Sequence, residues 1–237
     1  MPESDLVQAA SVAASSKGLS IRGLWEVFAK PTSFFTELAR SPRILVPMIA
    51  IASLCLVFFV LTADMIFELQ KHSPQFQEQM EANPGLTEER MKAFAIPWTI
   101  GGGIISMTIL PLITAALALF WGNFVFAGRA NYRQILSVAL YCNFLFVVGM
   151  IVLLPMLLAK GEFTASFSLG VLVAGRGVED PLYILLSKIS VFHIWEVIVL
   201  GIGSAITFGV DRNKGLTISL LSVGLISLIH VLSSLIF

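Results

Sequence analysis

Apolar residues along this chain gather into long uncharged blocks, not into the half-polar repeat of a surface helix. Ile44 to Ala63 is uncharged for twenty residues. At about 1.5 Å per residue that run crosses the roughly 30 Å hydrocarbon core of a bilayer. Residues 93–127 are uncharged as well, too long for one perpendicular span and too short for two plus a turn. They predict one tilted helix that projects beyond the bilayer at Trp98. Pro111 removes a backbone hydrogen bond and is expected to kink it, and Gly101-Gly102-Gly103 to loosen its outer turns. Further spans follow at 135–158, with Pro155 near its end, at 191–210 and at 216–237. The pattern predicts an all-α, polytopic integral membrane protein with five transmembrane helices.

The segments between the blocks are short and mostly polar. Residues 1–18 read as a flexible tail, ahead of a single membrane domain over 19–237. Within 20–42, Leu24, Trp25 and Phe28 share one helical face, and so do Phe34, Phe35 and Leu38. Pro31 suits a first helical turn, where its missing N–H has no partner to lose. Two short amphipathic helices lying in the interface are expected, with Trp25, Phe28, Phe34 and Phe35 as membrane anchors and Lys30, Arg40 and Arg43 facing headgroups. In the polar stretch 64–92, Ser73-Pro74 and Thr87-Glu88-Glu89 read as helix starts and Asn83-Pro84-Gly85 as a break. The apolar patch 167–174 fits an interfacial, strand-like or re-entrant piece. Asp180-Pro181 starts a helix, and residues 211–215 form a tight polar turn.

Composition agrees with the membrane reading: 57% hydrophobic, 13% charged, mean hydropathy +0.88. A soluble domain has about 45–50% apolar and about 25% charged residues. The net charge is zero and no basic stripe is present, so nucleic acid is not an expected partner. The expected partners are the lipid bilayer and other membrane proteins, in homo- or hetero-oligomers. Cys55 and Cys142 lie far apart in apolar blocks, with no redox or metal spacing. The first span is expected to serve as its own uncleaved insertion signal. With the N-terminus cytoplasmic, nine lysines and arginines fall inside and six outside. The dense inside turns at 129–133 and 212–214 favour that orientation.

One acidic residue, Glu196, lies within a predicted span, some 20 Å from the 211 turn. A charge at helix centre costs about 2.5–3.5 kcal/mol on insertion scales and often marks an ion pathway. His193, one turn away on the same face, and Asn143 complete a candidate intramembrane polar site. The alternative is a glutamate that reaches the headgroups beside Trp195, or a neutral one hydrogen-bonded to Asn143, Tyr141 or His193. Asn123, Thr108, Thr114 and Thr207 read as interhelical hydrogen-bonding groups. Gly201, Ala205 and Gly209 recur at four-residue spacing, as do Thr114, Ala118 and Gly122. Each set is a helix-packing face, serving either a dimer or the ordinary bundle. The histidines do not form a metal-ligand pattern, the glycine triplet lacks a phosphate-loop lysine, and no nucleophile elbow appears. No enzyme, cofactor or metal is expected.

Several segments together carry a resemblance: LWEVFAKPTSFFTEL before the first span, LTEERMKAF before the second, YRQILSVALY opening the third and FHIWEVIVLGIGSAITFGV for the fourth. Over residues 20–237 the chain resembles the Yip family of Ypt/Rab-interacting membrane proteins, in its bacterial branch. The resemblance implies a five-helix membrane domain with a cytoplasmic N-terminus. Eukaryotic members bind Rab-type GTPases and one another in secretory-pathway membranes and influence membrane shape. Here the Asp-Leu-Tyr-Gly-Pro motif is absent and the N-terminal region is short, which points away from Rab binding and toward a bacterial inner membrane. The resemblance implies no catalytic residues, and the expected role is a non-enzymatic scaffold or adaptor. A small permease or channel using Glu196, or a subunit of a larger complex, are the competing readings.

Overall fold

The computed structural model describes residues 22–83, 85–160, 168–176, 180–187 and 189–236, so the expected tail over 1–18 lies outside the described residues. Two short helices, α1 (Arg22–Ala29) and α2 (Pro31–Arg40), precede α3 (Leu45–Gln70) and α4 (Pro74–Ala82). Then come α5 (Glu88–Phe120), α6 (Tyr132–Lys160), α7 (Pro181–Ser187), α8 (Val191–Phe208) and α9 (Arg212–Ile236). A π-helical stretch, Trp121–Val125, continues α5, and a 3-10 stretch, Leu169–Arg176, precedes α7. Among the described residues, α3, α5 with its extension, α6 and α8 are long and apolar enough to cross a membrane. α9, with 25 residues, has the length of a fifth span. The protein is a multi-pass, all-helical membrane protein.

Helix ends follow the local chemistry. Ser73 accepts from the Phe76 N–H to cap α4, and Thr87 accepts from the Arg90 N–H to cap α5. Asn131 and Gln134 bond each other's backbone N–H reciprocally at the start of α6, at 3.0 Å each way. Asp180 caps α7 and Ser190 caps α8. Gly209 ends α8 in the left-handed region at φ +67°.

α3 and α5 continue as helices beyond the apolar blocks. Their 26 and 33 residues give about 39 and 50 Å, more than the roughly 30 Å core requires. The surplus forms a polar stem joined by α4. Lys71 bridges Glu68 at 2.7 Å and Glu88 at 3.2 Å, Lys92 pairs with Asp64 at 2.7 Å, and Phe76 of α4 packs edge-on against Phe67. α5 runs through Pro97 and Pro111 as one helix. Its regular winding changes at Trp121, where the Phe126 N–H reaches the Trp121 carbonyl five residues back.

α6 is the axis of the bundle. Every residue from Ile135 to Leu145 is buried, because α1, α2, α3, α5 and α8 all pack against it. The N-terminal helices depart from expectation here. Phe34 and Phe35 are 4% and 0% exposed and so are not membrane anchors. Phe34 packs on Tyr141 with ring centroids 4.7 Å apart, and Phe35 fits over Gly203 of α8. The following connector is stitched to α6: the Arg43 N–H donates to Ser137 Oγ, the Ser137 hydroxyl donates to the Arg43 carbonyl, and Gln134 Nε2 donates to the Ala39 carbonyl. A one-sided apolar face suits lipid and protein equally, and glycines at 23 and 203 let the protein approach first. Phe28 is half-buried against Phe144, and Trp25, 71% exposed, keeps an outward position.

The patch 167–174 takes 3-10 form from Leu169 onward and packs on α7, its Leu169 N–H donating to the Ile189 carbonyl. Its beginning lies outside the described residues.

Candidate functional site

Glu196 sits in the second turn of α8, 9% exposed and turned into the bundle. Cys142 of α6 is within electrostatic range of it, and among the described residues no salt bridge reaches it. The headgroup-reaching alternative does not fit that orientation. His193 is placed by the α8 cap: its backbone N–H donates to Ser190 Oγ, its Nδ1 lies 3.2 Å from the same hydroxyl, and its ring rests on Phe146.

Asn143 makes a bond across to α5. Its Nδ2 donates at 3.0 Å to the Met107 carbonyl on α5. Met107 is four residues before Pro111, so in a regular helix that carbonyl would accept from the N–H that proline lacks. Asn143 therefore fills the gap that Pro111 opens in the middle of the bundle. It joins α6 to α5 there, while His193 and Glu196 stand on α8 where that helix faces α6. The signal was present in the sequence as a proline in one span and an asparagine in the next, but only their packed level joins them. Asn143 Oδ1, Tyr141 OH, Ser204 Oγ and Thr207 Oγ1 are buried without a hydrogen-bond partner among the described residues.

The small-residue faces are spent inside the chain. A Cβ at Gly201 would run into Leu216 of α9, and one at Gly122 into the Phe208 ring of α8. Ala118 is fully buried, and Thr114 returns its hydroxyl to the Leu110 carbonyl. Ala205 packs beneath Gly215. Gly209 is no part of a packing face: nothing lies within 4 Å of its Cβ position, and its left-handed φ makes it the terminator of α8.

Besides Trp25, exposed aromatics stand at both ends of α5. On α5, Phe94 and Trp98 are 75% and 82% exposed at one end. Phe120 and Phe124 stack on each other at 5.6 Å at the other, in the π-helical turn. From Trp98 to Phe120 is about 33 Å of helix, which matches two interfacial belts. Asn123 holds the return loop by bonding both the carbonyl and the N–H of Ala130. Among the described residues no three histidine, cysteine or acidic side chains converge as a metal site.

A family model described as the Yip1 domain matches residues 25–235, nearly the whole chain. Comparison with curated proteins and with solved structures gives no match.

Proposed function

We propose, given that the chain belongs to the Yip1 domain family, that it acts as a non-enzymatic scaffold that organises or bends the membrane around it. The observation that carries this reading is the one-sided placement of α1 and α2. They pack beside α6 from Gln134 to Phe144, along the half of that helix that begins at the 129–133 turn. With the N-terminus cytoplasmic, that is the cytoplasmic leaflet, which the two helices widen with Trp25 at their outer edge. Exposed Lys30, Arg40, Arg129, Arg133 and Arg212 on that side form no salt bridge among the described residues, while Arg22, Arg43 and Lys214 there are paired; on the opposite side Lys71, Lys92 and Arg176 are paired and exposed Arg90 is not. Unpaired cations are the ones that anionic cytoplasmic lipids attract, which supports the orientation and a bacterial inner membrane as its home. Residues 19–237 act as one membrane domain, and homo- or hetero-oligomers with other membrane proteins are the natural assemblies.

Reconstitution into liposomes tests the reading. Wild-type protein is expected to shift vesicles toward smaller diameters by cryo-electron microscopy, and Trp25→Glu to relax that shift while leaving the bundle folded. Identical diameters with wild type, variant and empty liposomes would sink it. The burial of Glu196 favours a second reading, a permease or channel, which predicts proton- or solute-dependent flux that falls in Glu196→Gln. No flux across a broad ion and solute panel removes that reading.

A further inference from the structure

Most glycines in the spanning helices are accounted for by a close neighbour: Phe59 over Gly103, Phe208 over Gly122, Phe192 over Gly149, Leu216 over Gly201 and Val138 over Gly203. Gly224 on α9, like Gly101 and Gly102 on α5, is different. Nothing lies within 4 Å of where its side chain would begin. It lines an elongated groove between α8 and α9, about 600 Å³ in volume. The groove extends along α9 from Leu216 to Leu228, about 18 Å of helix. Leu185 of α7 and Ile189 line it at the end where α8 begins. Its polar lining residues are His193 and Ser227.

Three properties select the occupant. An apolar recess of this kind does not hold water. Leu185 of α7 and Ile189 stand at one end of the groove, where a spanning helix would have to pass. A spanning helix from a second copy therefore meets α7 before it can lie along the whole groove. A single hydrocarbon chain is narrow enough, and about 18 Å is close to the roughly 15 Å acyl depth of one leaflet. We propose that the α8–α9 groove is a binding site for one acyl chain of a phospholipid from the leaflet on the α7 side, with the headgroup beside α7. Gly224 is the residue that keeps the groove open.

The test uses full-length protein in phosphatidylcholine nanodiscs that contain a few per cent of phosphatidylcholine with a photoactivatable diazirine on one acyl chain. Crosslinked residues are mapped by mass spectrometry. Labelling is expected at Val197, Leu220 and Gly224, at least fivefold above the similarly lipid-facing Val60 and Ile105. Gly224→Phe is expected to lower the labelling at Val197 and Leu220 at least fivefold. Gly101→Phe, at another glycine with open space above it, leaves that labelling unchanged. Ser227→Phe, one turn along the groove, serves if Gly224→Phe does not fold. Even labelling of all lipid-facing residues, labelling at Val197 and Leu220 that persists in the filled-groove variant, or crosslinks between two copies across α9 would each overturn the proposal.

Discussion

The α2–α6–α8 core and the α3–α4–α5 stem belong to one continuous helical framework, yet they are held together by different physics. In the core, aromatic rings lie over glycines, Phe35 on Gly203 and Phe208 on Gly122, and hydrogen bonds such as Asn143 to Met107 fill backbone gaps. In the stem, the contacts are exposed ion pairs, with Lys71 shared between Glu68 and Glu88 and Lys92 against Asp64. Lipid tails are as apolar as leucine, so helices within the bilayer cohere by close fit, and salt has nothing to screen. Water above the bilayer weakens each ion pair but permits many. Perturbations of shape should therefore injure the core, and perturbations of charge the polar surfaces outside it, the stem foremost.

The largest effect is expected at Phe35→Ala, which empties a fully buried ring position between α2, α6 and α8. A loss on the order of 3 kcal/mol is expected, read as equilibrium unfolding in mixed micelles and unaffected by added salt. A wild-type stability would mean that α2 rests on lipid after all. Gly122→Ala comes next, because its methyl group would enter the Phe208 ring; a cost of about 1–3 kcal/mol is expected. Gly101→Ala, in open space, should be neutral or slightly stabilising in the same assay.

Asn143→Leu is expected to cost about 1–2 kcal/mol by leaving the Met107 carbonyl unpaired. In a Pro111→Ala background the helix N–H returns and that cost should largely vanish. Additive losses in the double variant would break the link between the proline and the asparagine.

The smallest effect belongs to Lys71→Ala, and its sign is set by pH. The Glu68 carboxylate, and after it Glu88, hold the Lys71 ammonium above the usual lysine range. The contribution of Lys71 is complete below its unfolded-state value and fades as pH rises through the higher folded-state one. The substitution should therefore loosen the stem at neutral pH in low salt, measured by hydrogen exchange of α4, and do nothing in high salt or strong base. Asp211 behaves oppositely, since the Lys214 backbone N–H holds its carboxyl below the aspartate range. Its contribution is complete above the unfolded-state value and disappears as pH falls through the lower folded-state one.

Much of this architecture was legible along the chain, because its signals are local. Uncharged runs mark the spans, and Ser73, Thr87 and Asp180 cap the helices that their positions announce. Glu196 stands out in any reading as a lone acid in an apolar block. The site around it was less legible. Asn143 reads as a partner for Glu196 along the sequence, and only the packing shows its amide donating to the Met107 carbonyl of α5. Gly209 continues a four-residue repeat in sequence, yet its left-handed backbone ends the helix. Phe34 and Phe35 carry the periodicity of an interfacial helix, and nothing in that periodicity names the surface they meet.

The sequence by itself therefore determined which segments leave water, where helices start and stop, and that the chain lives in a bilayer. These depend on transfer of each segment from water and on capping groups within a few residues. Only the tertiary structure decided which apolar faces meet protein and which meet lipid. The two environments are almost equal in polarity, so the choice rests on shape: a glycine beneath Phe35 draws α2 into the bundle, while the space above Gly224 is left for a lipid chain.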